Sequence, residues 1–360
     1  MPMPDVVIRA GRLLDGSGLP AVTADIAIRD GAVAEIGRVR DRAHRIIDAD
    51  GALVIPGLTA LMPPPSVAPF DRNAARHLAP GVTTVVEELP ASATTADAVA
   101  AYLHHLRAQP ALLSRVILAS HHLFRAAVMG NKIRDELASS NADIEAMGTL
   151  LGDALDLGAR GVLLAPDAPH SERVAVIEEL APRWSERSGE QPVAVMIPTH
   201  YDEDLDEALH HARRILSLSD ATPSVSCSVI ISVPEPVDDP NIGSALSPGS
   251  ETTVEILIEA LSTGRSVPGL GLNPLAFLAG HSPDSTLDLP ALIERLADTA
   301  ALVGLKNRGV IASHNPADIN IIDRTHLTDD LSAGVVSTLV SGTEIVSFDE
   351  LTGEAPGQLL

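Results

Sequence analysis

Cysteine, lysine and aromatic residues are scarce in this 360-residue chain. One cysteine, Cys227, excludes an internal disulfide framework and a cysteine-rich zinc site. Lysine occurs only at Lys132 and Lys306, and the net charge is −23. A nucleic-acid partner needs clustered cations against its phosphates and aromatic platforms for unpaired bases. The chain has no basic cluster and is 2% aromatic, so nucleic acid is excluded as an expected partner. The same charge argues against docking on an anionic membrane surface. No apolar run is long enough to span a bilayer. The opening Met1-Pro2-Met3-Pro4-Asp5 lacks the basic start and apolar core of a signal peptide, so the expected location is the cytoplasm.

What is present is an ordinary globular composition, 45% hydrophobic and 20% charged. Residues 5 to 55 read as β structure. Val6-Val7-Ile8 is a strand, Asp15-Gly16-Ser17-Gly18 a turn, and Asp30-Gly31 a hairpin signal between two alternating runs. From about residue 81 strands alternate with helices. Val82 to Val86, Val116 to Leu118, Val162 to Leu164, Val193 to Ile197 and Val225 to Val233 are strands. Between them, Val99, Tyr102, Leu103 and Leu106 recur at helical spacing, as do Ile144, Met147, Leu151 and Leu155, the latter behind a capping box at Ser140 to Asp143 and ahead of Gly158. Residues 251–261 and 290–303 also read as helices. Such alternation implies a parallel sheet with helices outside it. Residues 318 to 348 return to β structure.

The expected fold is therefore α/β, a (β/α)8-type barrel with a small β domain formed by the two chain ends. Its expected boundaries are 1–56 plus 308–360 for the β domain and 57–307 for the barrel. Barrel strands are expected at 53–58, 82–86, 115–119, 161–165, 193–197, 225–232 and about 267–273. That makes seven where closure needs eight. Either a strand lies between 233 and 262 or the barrel is incomplete.

Several segments, in order, carry a family likeness. They are "VVIRAGRLLDGSG" (6–18), "ADIAIRDGAVAEIG" (24–37), "IDADGALVIPGL" (47–58), "GVTTVV" (81–86), "RAAVMG" (125–130), "LLGDALDLGARGVLL" (150–164), "THYDEDLDEAL" (199–209), "GLKNRGVIASHNPADINIID" (304–323) and "ELTGEAPGQLL" (350–360). Together they resemble the amidohydrolase superfamily, in particular its D-aminoacylase (N-acyl-D-amino-acid deacylase) branch. The resemblance implies a barrel that binds one or two divalent metals at its C-terminal mouth, where a metal-acidified water attacks an amide carbonyl and a carboxylate acts as base.

Residue by residue, the resemblance gives a depleted site. The His-x-His after the first strand falls on Met62-Pro63-Pro64, and the branch's Cys ligand falls on or near Pro90. The His after the fifth strand is kept as His200. The sixth-strand His should lie near Ser228 to Ser232, a run that holds none, and Asn273 stands at the approximate position of the base Asp. His121 and Glu87, at other strand ends, are further candidates to line a rebuilt metal site with His200.

The expectation is thus a homologue that has lost the usual metal chemistry and serves as a binding, regulatory or scaffolding protein, with no cofactor. The alternative is an active hydrolase of linear amide C–N bonds with a single divalent metal such as Zn²⁺ at His200. Whether the chain is an enzyme stays open between the two. A small-molecule ligand or a protein partner fits either, and homo-oligomers are permitted. His104-His105 and His210-His211 lie beside apolar helix faces and read as solvated surface, Cys227 as a small buried strand residue, and Asp202-Glu203-Asp204 as helix N-terminal charge. No phosphate-cradling glycine loop, nucleophile elbow or EF-hand pattern is present.

Overall fold

The computed structural model describes residues 3–40, 42–61, 81–135, 137–165, 167–185, 193–200, 225–232, 266–269, 288–297, 299–305, 307–326 and 334–360. Among these, two sheets organise the chain. The first has nine strands drawn from both ends: β1 (Val6–Leu13), β2 (Val22–Arg29), β3 (Ala32–Gly37), β4 (Arg45–Asp48), β5 (Leu53–Pro56), β13 (Ile319–Ile322), β14 (Val335–Val340), β15 (Thr343–Ser347) and β16 (Glu350–Leu351). Its order is β16-β15-β14-β13-β5-β1-β2-β3, with β4 beside β1. The second has seven parallel strands in sequence order: β6 (Leu58–Leu61), β7 (Val82–Glu88), β8 (Ser114–Ser120), β9 (Gly161–Leu163), β10 (Val193–His200), β11 (Val225–Ser232) and β12 (Ser266–Gly269).

The hairpins follow their turn residues. Asp30 and Gly31 adopt φ of 50° and 77°, the left-handed pair that a two-residue turn between twisted strands requires. A Cβ on Gly31 would meet the Ser341 carbonyl oxygen at 2.9 Å, so this turn packs directly on the turn between β14 and β15.

The first barrel strand begins later than the sequence suggests. Residues 53–58 are not one strand. Leu53–Pro56 pairs antiparallel with β13, whereas Leu58 starts β6 and pairs parallel with β7. Gly57 is the crossing point. Its N–H donates to the Asp318 carbonyl at 2.8 Å, and a Cβ there would come within 2.2 Å of Thr83 Oγ1. Only a glycine lets the chain leave one sheet and enter the other in so little space.

Helices α1 (Ala96–Ala108), α2 (His121–Met129), α3 (Asn131–Arg134), α4 (Asn141–Leu157) and α5 (His170–Ser185) follow β7, β8 and β9. Val99, Leu103 and Leu106 of α1 and Met147, Leu151 and Leu155 of α4 bury the faces their spacing marks, against Ile117, Ala119 and Val162 of the sheet. His104 and His105 are exposed, as expected. The helix expected at 290–303 is two, α6 (Leu289–Ala297) and α7 (Thr299–Leu302). Ala300, Val303 and Leu305 pack on the opposite, inner face of the sheet with Val86, Val116 and Leu118. The expected helix at 251–261 lies outside the described residues, as do His210 and His211.

The capping box of α4 is complete. Ser140 Oγ accepts from Asp143 N at 3.3 Å, and Asp143 Oδ2 accepts from Ser140 N at 2.9 Å. Lys132 Nζ adds a bond at 2.8 Å to each Asp143 oxygen. The Lys132 bond first, then those from Ser140, hold the Asp143 carboxyl down at about 2. Replacing Ser140 by alanine is expected to cost about 1 kcal/mol, read by urea unfolding, because it strips a helix N-terminus of a side-chain acceptor.

Candidate functional site

Among the described residues, the C-terminal ends of β7 and β8 carry Glu87, Glu88 and Ser120. On β7 and β8 the faces alternate: Val86, Val116 and Leu118 point inward, while Ile117 and Ala119 meet the helices. The same alternation puts Glu88 and Ser120 on the inner face at the strand tips. Glu87, in register with Ile117, falls on the helix-covered face. Its carboxylate is buried and accepts Arg115 Nε at 2.6 Å. The carboxylate nearest the mouth on this strand is Glu88, which sequence reasoning did not name. Ser120 Oγ donates to Glu88 Oε1 at 3.3 Å. Burial pushes the Glu88 carboxyl up, partly offset by Ser120 and by the charge of His122.

His121 is the first residue of α2, and its ring is fully buried. Nδ1 accepts from Ala165 N at 3.2 Å, which fixes the chain immediately after β9. Nε2 makes no hydrogen bond and lies 3.4 Å from Glu172 Oε1. Glu172, in the first turn of α5, accepts Arg125 Nε at 2.6 Å and the Ser139 hydroxyl. Burial alone would raise the Glu172 carboxyl, but the polar contacts from His121, Ser139 and Arg125 outweigh it and the carboxyl is lowered. Arg125 continues outward: its Nη1 lies 3.4 Å from Asp167 Oδ2, and His122 Nδ1 lies 3.3 Å from Asp167 Oδ1. Arg125, Asp167 and Glu172 also escaped the sequence reading. Arg125 stands in the "RAAVMG" segment, but nothing in the spacing pairs it with a carboxylate 47 residues on.

His200 closes β10, in register with Ser232 of β11. Met196 pairs with Leu163, and Leu163 with Ser120, so His200 has the register parity of Ser120, four residues further along. Its side chain, together with Met62, Pro63, Pro64 and Asn273, lies outside the described residues. Pro90 follows β7 and has no donor atom for a metal in its side chain.

Comparisons with known structures decide the architecture. A solved D-aminoacylase superposes with a TM-score of 0.73 at 19% identity, covering 99% of each chain. The fold is that of the amidohydrolases. N-acyl-D-glutamate deacylase from Bordetella bronchiseptica superposes with a TM-score of 0.71, covering 100% of each chain at 19% identity. In sequence, D-aminoacylase of Alcaligenes xylosoxydans xylosoxydans is 30% identical over 199 residues, 49% of this chain and 40% of that protein. N-acyl-D-aspartate deacylase of the same organism is 26% identical over 304 residues, 72% of this chain and 54% of that protein. The chain thus spans about half the length of the curated relatives it matches. No family model matches it. The neighbours of this amidohydrolase fold in sequence and structure are D-aminoacylases and N-acyl-D-amino-acid deacylases.

D-aminoacylase has a binuclear metal centre, and the Bordetella deacylase binds zinc with a phosphonate inhibitor. The described residues of this amidohydrolase fold do not make such a centre. Glu87 is engaged by Arg115, and His121 uses Nδ1 on a backbone N–H and turns Nε2 to Glu172. No three His, Cys, Asp or Glu side chains among the described residues are grouped to hold a metal ion. No described helix is long and apolar enough to cross a membrane.

Proposed function

We propose that this protein is a binding homologue of the N-acyl-D-amino-acid deacylases, one that takes an acyl-amino-acid-like ligand at the barrel mouth without metal-assisted hydrolysis. The donor set carries this reading. Met62-Pro63-Pro64 stands where the resemblance places a His-x-His clamp, and Pro90 where it places a thiolate. A borderline divalent ion takes imidazole, thiolate or carboxylate ligands, and neither a thioether nor a prolyl ring replaces them for zinc. With the clamp gone, a bound amide meets no acidified water.

The test pairs metal analysis of the purified protein with a panel of N-acyl-D-amino acids in added Zn²⁺, Mn²⁺ or Co²⁺. The expected outcome is less than stoichiometric metal, no turnover, and saturable binding of at least one panel member. Tightly held stoichiometric zinc accompanied by turnover would overturn it.

His200 supports a second reading, a hydrolase of linear amides with a single metal at the tip of β10. Under that reading turnover appears on adding metal and His200→Ala removes it. Turnover that is absent, or unchanged in the variant, rules the second reading out.

A further inference from the structure

We propose that Arg125 and His122 form a carboxylate-binding subsite at the rim of the mouth, and that Asp167 occupies it as a resident stand-in for the carboxylate of a ligand. The proposal deepens the binding reading above by naming the group on the ligand that this rim would recognise.

Three observations support it. First, among the described residues the guanidinium is held tightly on its inner side. Glu172 takes Nε at 2.6 Å from within the fold, and the Arg125 side chain is 7% exposed, so its orientation is fixed. Second, the outer edge of that guanidinium is covered loosely. Asp167 reaches Nη1 at 3.4 Å and His122 Nδ1 at 3.3 Å, each near the limit of a hydrogen bond, and its own side chain is 49% exposed. Charge-assisted pairs with nothing in the way close to about 2.7–2.9 Å. Third, the two carboxylate oxygens are divided between the two donors, Oδ2 toward Arg125 and Oδ1 toward His122. A free carboxylate presented from the solvent side would make the same two contacts.

The position suits a ligand of the mouth. His122 follows His121 at the head of α2, directly after the inner-face Ser120 that bonds Glu88. The loop that carries Asp167 is pinned independently, through Ala165 N to His121 Nδ1 and Arg173 Nε to the Ala168 carbonyl. The Asp167 side chain can therefore leave the guanidinium without unfastening the loop.

A stand-in lowers apparent affinity by the fraction of time it occupies the site. Asp167→Asn is accordingly expected to bind N-acetyl-D-alanine about tenfold more tightly than the unaltered protein, measured by titration calorimetry with EDTA present. N-acetyl-D-alaninamide, which has no carboxylate, is expected to show no such gain. Asp97→Asn, on the exposed side of α1, controls for the loss of one negative charge and is expected to leave affinity unchanged.

The gain should vanish when Arg125→Met and Glu172→Met are combined with Asp167→Asn. That pairing removes both members of the buried ion pair, so the protein is not left with a lone charge inside. His122→Gln with Asp167→Asn is a second route and should lose part of the gain. Equal affinity of Asp167→Asn and the unaltered protein overturns the proposal. So does an equal gain for the amide, a gain that survives loss of Arg125, or no binding to either protein. Because the titration reads equilibrium binding without metal, discovery of metal-dependent turnover would defeat the non-hydrolytic reading and leave this test standing.

Discussion

Glu172→Ala is expected to destabilise the protein by about 3–5 kcal/mol, the range for breaking a buried ion pair by removing one partner. The cost arises from what remains. Arg125 keeps a full charge at 7% exposure and loses its 2.6 Å partner. The Ser139 hydroxyl loses its acceptor, and His121 Nε2 loses the carboxylate 3.4 Å from it. α5 also loses a carboxylate from its first turn, where the helix dipole favours one. Combining Glu172→Met with Arg125→Met should recover much of the loss, because two buried apolar residues of similar volume need no partners. Denaturant unfolding of the three proteins measures this. An alanine variant that unfolds at the midpoint of the unaltered protein would show that the cluster contributes nothing to stability.

The sign with pH follows from the direction of the shift. The folded-state Glu172 carboxyl lies below its ordinary value, so its stabilisation is present at neutral pH and is lost as pH falls through the folded value. Between pH 7 and about pH 3, the unaltered protein should therefore lose more stability than the double methionine variant.

The sequence is most legible where local chemistry has one solution. Asp30-Gly31 can make its two-residue turn without help from the rest of the fold, and the Ser140 box with Gly158 bounds α4 on its own residues. The apolar periods of α1 and α4 identify the buried faces because each helix has only one. Legibility fails where a pattern is symmetric. Val82 to Val86 is buried on both faces, with a threonine on each, so its pattern conceals which of Glu87 and Glu88 turns inward. The register with β8 and the Arg115 ion pair settle it. Likewise 53–58 reads as one strand, because the change of partner at Gly57, from β13 to β7, is set by strands distant in sequence and adjacent in space. The Arg125–Glu172–Asp167 cluster was invisible for the same reason: it is assembled by packing α2 against α5 and the chain after β9, and no spacing encodes it. The ligand loop at Met62 to Pro65 and Asn273 were read by resemblance alone.

A second large effect is expected at Asn320, where the two sheets meet. The residue is fully buried in β13. Its Nδ2 donates to the Pro56 carbonyl at 3.1 Å and to the Gly81 carbonyl at 2.8 Å, and its Oδ1 accepts Thr338 Oγ1 at 2.9 Å. Pro56 ends the β5 strand of one sheet and Gly81 precedes β7 of the other, so one amide joins them. Asn320→Leu keeps the volume and leaves an acceptor and a hydroxyl short of partners. Gly81 O retains Leu58 N at 3.1 Å. Each buried group left unpaired costs about 1–3 kcal/mol, which places the total near 3–5 kcal/mol once the loss of the three bonds is included. Asn320→Asp separates polarity from shape. An ionised aspartate would face two carbonyl oxygens, so that variant should be the less stable of the two at neutral pH and should regain stability on acidification as it protonates. Denaturant midpoints at pH 7 and about pH 5, with hydrogen exchange at Gly57 and Leu58 N–H as the local readout, distinguish the cases. If the leucine variant matched the unaltered protein in both, the join between the sheets would have to rest on the Gly57 to Asp318 bond and the surrounding apolar contacts instead.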